Sequence, residues 1–139
     1  MNKIFTVGYG NKKPDDLISI LKINQVVAIV DVRLRPDRAR LGTYVKAKST
    51  DKGIQKFLST NGIKYYSFVE LGNVFMNYED WEERYKELLE KTGEFLTKGL
   101  NEVPQPLCLL CAEKDASECH RKIISDYLQS QGWKIKHLE

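Results

Sequence analysis

The sequence predicts a single α/β domain, residues 1–139, built on an open, mostly parallel five-stranded sheet with helices on both faces. Three observations carry this: five apolar runs of strand length, four stretches at helical spacing alternating with them, and Gly, Asn or Pro at most junctions. A chain of 139 residues can bury one sizeable core without a staple.

Lys3 to Gly8 and Val26 to Val32 are apolar, rich in β-branched residues and bounded by Gly or charge, so both are predicted strands. Pro14 to Leu21 has apolar residues at helical spacing behind Asn11 and Pro14, and bridges them as a helix. The next helix is expected from Asp51 to Thr60, ended by Asn61-Gly62. Ile63 to Val69 then forms a third strand. A charge-laced helix is predicted from Tyr78 to Leu100 with an interruption near Gly93, before Pro104 and Pro106 lead into Leu107 to Ala112. That fourth strand is apolar on both faces, which predicts a central position. Asp115 to Glu118 supplies helix-start signals, Gly132 a stop, and Lys134 to Leu138 a fifth strand. The pattern is that of a three-layer, Rossmann-like fold, with no internal repeat or linker.

Apolar residues make up 42% of the chain and charged ones 29%, the balance of a globular protein rather than a disordered one. A net charge of +3 is too small to imply a nucleic-acid partner by itself. The distribution says more: residues 31–48 carry Arg33, Arg35, Arg38, Arg40, Lys46 and Lys48 against Asp31 and Asp37, whereas residues 79–94 carry seven acids against three bases. An anion is expected to approach the first segment. The longest apolar run, Val26 to Val30, is too short to cross a bilayer, and no secretory signal opens the chain. Three cysteines, an odd number, then point to reduced thiols, no structural disulfide and a cytoplasmic setting.

In open α/β sheets ligands bind beyond the carboxyl ends of the strands. The unusual residues of this chain gather there. Asp31 and Arg33 share a two-residue relation at the end of the second strand, which suits either a closing ion pair or an Arg fork offered to a phosphate or carboxylate. The stretch after Arg33 to Thr50 shows no regular element, as functional or mobile segments do. Cys111 and Glu113 share a face while the fourth strand persists, and Glu113 there is the stronger functional candidate. Cys119, His120 and Arg121 fall in the first turn of the last long helix, where free N–H groups favour an anion or thiolate. The alternative for these three is a small buried Cys, a His bonded to backbone and a solvated Arg. Gly8-Tyr9-Gly10 is only half of a dinucleotide fingerprint and reads first as a tight turn, with close approach to a ligand as the alternative. Cys108, Cys111, Cys119 and His120 are zinc-type residues, but Cys108 and Cys111, three apart in a strand, point to opposite faces, so no metal site is expected. The residues name no cofactor.

The motifs Thr6-Val-Gly-Tyr-Gly10, Asp31-Val-Arg33, Glu70-Leu-Gly72, Cys111-Ala-Glu113 and Cys119-His-Arg121, in this order, resemble those of the family catalogued as domain of unknown function 488. The resemblance spans almost the whole chain and implies a three-layer α/β fold. It marks Gly8, Asp31, Arg33, Glu70, Gly72, Cys111, Glu113, Cys119, His120 and Arg121 as motif positions, with no activity attached. Many members place His where Tyr9 stands here, so no role built on that histidine carries over.

These observations lead to three expectations of function. The first is an enzyme or binding domain for a phosphorylated or nucleotide-like anion, with Gly8, Tyr9, Gly10, Asp31, Arg33 and Arg121 at the ligand and Glu113, His120, Cys119 and Cys111 as catalytic candidates. The second is a module that binds nucleic acid or an acidic protein through Arg33 to Lys48. The third is a thiol redox sensor using Cys111 and Cys119.

Overall fold

The computed structural model describes residues 3–139. Five strands, β1 (Lys3–Gly8), β2 (Ala28–Asp31), β3 (Lys64–Ser67), β4 (Leu107–Cys111) and β5 (Lys134–Leu138), alternate with helices α1 (Pro14–Ile23), α2 (Gly53–Thr60), α3 (Trp81–Thr97) and α4 (His120–Ser130). The strand order is β3-β2-β4-β1-β5, and every pairing is parallel. β4 is central, as its apolar faces predict: it pairs with both β1 and β2, and all five of its residues are buried. Among the described residues no helix is long and apolar enough to cross a membrane.

Handedness divides the helices. The chain runs β1 to β2 to β3 in one direction across the sheet and returns through β4 to β5 in the other, so right-handed crossovers put the two halves on opposite faces. Leu17 and Leu21 of α1 and Ile54 and Leu58 of α2 pack with Val7, Ile29 and Leu110 on one face. Tyr85 and Leu89 of α3 and Ile124 and Leu128 of α4 pack with Ile4, Val30 and Leu109 on the other. The loop leaving β2 therefore turns toward one face and the loop leaving β4 toward the other, which opens a crevice at the carboxyl end of β4.

Several boundaries differ from expectation. β2 is shorter than Val26 to Val32, and Val27 uses its N–H on Pro106 O at 2.9 Å instead of on a neighbouring strand. β3 spans only the middle of Ile63 to Val69; it is an edge strand with a single partner, β2. α3 passes through Gly93 without a break, because Gly93 makes room for a neighbour: a Cβ there would lie 2.6 Å from Cζ of Tyr127 on α4. α4 starts later than Asp115 to Glu118, which forms part of a separate 3-10 turn over Ala116–Glu118.

Candidate functional site

The crevice at the end of β4 is a cleft of about 600 Å³. Its volume lies in the ~300–1,000 Å³ range of small-molecule sites. Arg33, Arg35 and Arg38 from the loop after β2 line one wall, and Met76 ahead of α3 and Trp81 at its start line another. Cys111, Cys119 and His120 line it from the β4–α4 side, Glu113 and Glu118 are exposed where they border it, and Tyr9 enters from the β1 loop.

Asp31 and Arg33 form the ion pair that their spacing suggested. Arg33 Nε donates to both carboxylate oxygens at 2.9 and 3.0 Å, and Nη2 donates to Oδ2 at 2.6 Å. Asp31 also accepts from Tyr65 Oη at 2.6 Å and from the Arg33 N–H at 3.1 Å. Burial works against the Arg33 charge, but the bonds to Asp31 and its charge hold the guanidinium pKa above its ordinary value. Burial, followed by the Asp31 charge, pushes the Tyr65 hydroxyl up.

The remaining Arg33 nitrogen, Nη1, donates to Tyr9 Oη at 3.0 Å. The Tyr9 ring stacks on Tyr44 with centroids 4.3 Å apart, and Tyr44 Oη donates to Lys12 O at 2.9 Å. Burial, then the neighbouring Tyr9 and Asp16, raises the Tyr44 hydroxyl to about 12. Tyr44 is thus an anchor for the stretch after Arg33, which contains a 3-10 turn at Gly42–Tyr44 and is tied by Lys46 N to Pro36 O at 2.7 Å.

Gly8 and Gly10 admit backbone, though not that of a ligand. A Cβ on Gly8 would lie 1.5 Å from Glu113 O, and one on Gly10 would lie 2.7 Å from Ala112 O. The two glycines let the β1 loop lie flat on the chain's own β4 loop. Gly72 is similar: its Cβ would lie 2.5 Å from Leu34 Cα, while Glu70 is exposed on the preceding 3-10 turn.

Arg121 is neither solvated nor turned toward the cleft. It is 1% exposed, and its guanidinium is consumed internally. Nη1 donates to Cys111 Sγ at 2.8 Å and to Glu113 O at 2.7 Å, Nη2 to Lys114 O at 3.2 Å, and Nε to Thr6 Oγ1 at 3.4 Å. The Thr6 hydroxyl is in turn 2.6 Å from His137 Nδ1 on β5. Arg121 therefore closes the β4–α4 loop on itself and sets a fixed positive charge against the Cys111 sulfur.

Cys119 is the N-cap of α4, its Sγ accepting from Arg121 N at 3.4 Å. It packs in the same buried cluster as Cys111, and Arg121 contacts both sulfurs. His120 Nε2 lies 2.7 Å from Val32 O; a carbonyl only accepts, so this nitrogen carries the proton and donates. Burial lowers the His120 pKa, leaving a neutral ring whose free Nδ1 faces Cys119 Sγ at 3.5 Å. The result is a row: Cys111, Cys119, His120. Burial by itself would raise the Cys111 pKa, but the neighbouring Cys119 thiol and the Arg121 charge and hydrogen bond bring it below the ordinary thiol value. Cys119, beside Cys111 and buried, is pushed up.

The expected face-sharing of Cys111 and Glu113 is corrected by the structure. β4 ends at Cys111, the alternation stops with it, and Glu113 sits in the following loop, exposed, its carbonyl taken by Arg121. Cys108 packs on the opposite sheet face from Cys111, wholly buried, with its thiol pushed up by burial. All three cysteines are free, and among the described residues no group of three or more His, Cys, Asp or Glu could hold a metal ion.

Sequence inspection had not singled out the far wall. Met76 lies just ahead of the predicted helix that starts at Tyr78 and Trp81 lies in its first turn, and a Trp among acidic residues was the available signal. Asn73 was missed as well: it lines the cleft, and its Oδ1 accepts from Phe75 N at 3.0 Å.

No curated protein and no solved structure matches the chain. A family model does match, over residues 13–128, a stretch that holds β2 to β4 and nearly all of α4 while leaving out the Gly8-Tyr9-Gly10 loop. The chain belongs to that family, described as domain of unknown function DUF488.

Proposed function

We propose that the chain is an enzyme acting on a phosphorylated or nucleotide-like anion bound at the carboxyl ends of β1, β2 and β4, with Cys111 as its nucleophile. The observation that carries this is the Arg121 Nη1 to Cys111 Sγ contact of 2.8 Å beside a cleft lined by three arginines. A thiolate is the nucleophilic form of cysteine, and a fixed guanidinium favours it. Arg121, consumed by the protein's own atoms, serves the thiol and not the substrate. The anion falls to Arg38, exposed with no carboxylate partner among the described residues, and to Arg35, whose exposed pair with Asp37 at 3.1 Å is easily exchanged. Arg33, held by Asp31 and Tyr9, sets the shape of that wall. Met76 and Trp81 offer an apolar surface to the uncharged part of the substrate, such as a base or other ring. His120 Nδ1 receives the proton that Cys111 gives up by way of Cys119, which hands on its own proton and keeps the one it receives, and Glu113 exchanges protons with the substrate.

The test is thermal shift of wild type and Arg38→Ala with nucleoside monophosphates and sugar phosphates. A ligand at about 100 times its Kd adds roughly 2.7 kcal/mol, and the shift should shrink in Arg38→Ala. If no phosphorylated compound shifts the wild type, the proposal fails.

A second proposal rests on the exposure of Arg38, Arg40 and Lys48 on the same segment: a nucleic-acid strand as partner. Binding of a short oligonucleotide that weakens steeply with salt, without any shift by monomers, would favour it.

A further inference from the structure

We propose that Cys111 and Cys119 form a peroxide-responsive dithiol, in which Cys111 is oxidised by a hydroperoxide and Cys119 resolves it to an intramolecular disulfide. This goes beyond the enzyme proposal and shares only the Cys111 sulfur with it. Three features of the site support it. The two residues pack in one buried cluster, Cys111 at the end of β4 and Cys119 at the N-cap of α4. Arg121 reaches both, its Nη1 at 2.8 Å from Cys111 Sγ and its backbone N at 3.4 Å from Cys119 Sγ. Both residues also line the cleft, so a molecule as small as a hydroperoxide reaches them although each is largely covered.

The chemistry closes on these groups. The Cys111 thiolate attacks the hydroperoxide, forming an S–O bond as the O–O bond breaks; sulfur loses two electrons, the peroxide gains them, and the alkoxide leaves as an alcohol after taking a proton. The product is a Cys111 sulfenic acid. Cys119 sulfur then attacks Cys111 sulfur, the S–S bond forms, the S–O bond breaks, and hydroxide takes the Cys119 thiol proton to leave as water. Two thiols and one hydroperoxide give one disulfide, one alcohol and one water. His120 Nδ1, 3.5 Å from Cys119 Sγ, is placed to accept the Cys119 proton as that sulfur attacks and to pass it to the leaving hydroxide. The disulfide would tie the start of α4 to the end of β4, withdraw the Cys111 nucleophile, and be reopened by a thiol reductant. Cys108, buried on the other sheet face, is an internal control.

The experiment treats reduced wild type with hydrogen peroxide, blocks remaining thiols with N-ethylmaleimide, and reads intact and peptide masses. Expected is the loss of two hydrogens, one blocked cysteine of the three, a linked Cys111–Cys119 peptide pair, and reversal by dithiothreitol. Cys119→Ser keeps an N-cap oxygen for α4, so it should fold. It should stop at a Cys111 sulfenic acid captured by dimedone, while Cys108→Ser should behave as wild type. Wild type in which Cys119 stays open to N-ethylmaleimide, or in which Cys108 supplies the partner, overturns the dithiol. If iodoacetamide still alkylates Cys111 readily in that case, the dithiol falls and the nucleophile stands. If Cys111 resists both peroxide and iodoacetamide, both fall.

Discussion

Asp31, wholly buried, grips the Arg33 guanidinium along one edge, with Nε bonded to both carboxylate oxygens and Nη2 to Oδ2 at 2.6 Å. The pair closes the end of β2 and fixes a wall of the cleft. Replacing Asp31 with Asn keeps the volume but leaves the Arg33 charge, 6% exposed, without a counter-charge. Breaking a buried pair in this way costs about 3–5 kcal/mol, whereas replacing both partners by apolar groups is far milder. Asp31→Asn should therefore lose most of that amount in urea denaturation, and Asp31→Leu with Arg33→Met should recover a large part of it. Equal losses in the single and double variants would refute this account of the pair.

Two glycines separate close approach from mere flexibility. Gly8 admits no Cβ, which would lie 1.5 Å from Glu113 O and 2.7 Å from Arg121 Nη1, whereas Gly42 has nothing within 4 Å. Gly8→Ala must push the β1 and β4 loops apart and disturb the Arg121 contact with Cys111. It should cost more than ~4 kcal/mol or prevent folding, and Gly42→Ala should stay within ~0.5 kcal/mol of wild type. Thermal denaturation of the two variants side by side checks this; near-neutral behaviour of Gly8→Ala would show that the loops are not in contact.

Tyr44 anchors an otherwise irregular segment. Its ring packs on Tyr9 at 4.3 Å and on Phe57 at 6.3 Å, and its hydroxyl reaches Lys12 O. Tyr44→Ala should cost about 3–5 kcal/mol, as large-to-small changes of buried aromatics do. Tyr44→Phe, which loses only the hydrogen bond, should cost about 0.5–1.5 kcal/mol. Freed from the anchor, the exposed Arg38 and Arg40 should be cut by trypsin much faster in Tyr44→Ala than in Tyr44→Phe. Equal cutting rates would mean that the segment is held elsewhere.

The alternation of strands and helices was legible because each relies on local periodicity and local stop signals, and β1 and β5 match their expected limits residue for residue. The gathering of Asp31, Arg33, Cys111, Cys119 and His120 was legible too, since parallel strands bring their carboxyl ends together. What escaped was set by distant partners. Arg121, expected at the ligand or else solvated, is enclosed by Thr6, Cys111 and two loop carbonyls, none of them at a sequence distance that a spacing rule reads. Gly93 looked like a helix break because nothing near it in sequence announces Tyr127. Glu113 was assigned to the wrong place because a two-residue rule holds only as far as the strand does, and β4 stops at Cys111.

The thiol pair should leave its own mark on stability as pH changes. Burial would raise Cys111, but the neighbouring Cys119 thiol and the Arg121 charge and hydrogen bond lower it, while Cys119 is pushed up by Cys111 and by burial. The two sulfurs titrate as a unit, losing one proton below and one above the ordinary thiol value of about 8.5. Between the first loss and about 8.5 the unfolded chain binds more protons than the folded one, so this contribution rises with pH. Above about 8.5 the folded chain holds the Cys119 proton that the unfolded chain has released, so the contribution falls. Urea denaturation across this range, taken as wild type minus Cys111→Ser with Cys119→Ser, should give a difference that climbs and then declines around the ordinary thiol value. A difference that only falls as pH rises would mean that neither thiol is held ionised, and with it the nucleophile assigned to Cys111 would be lost.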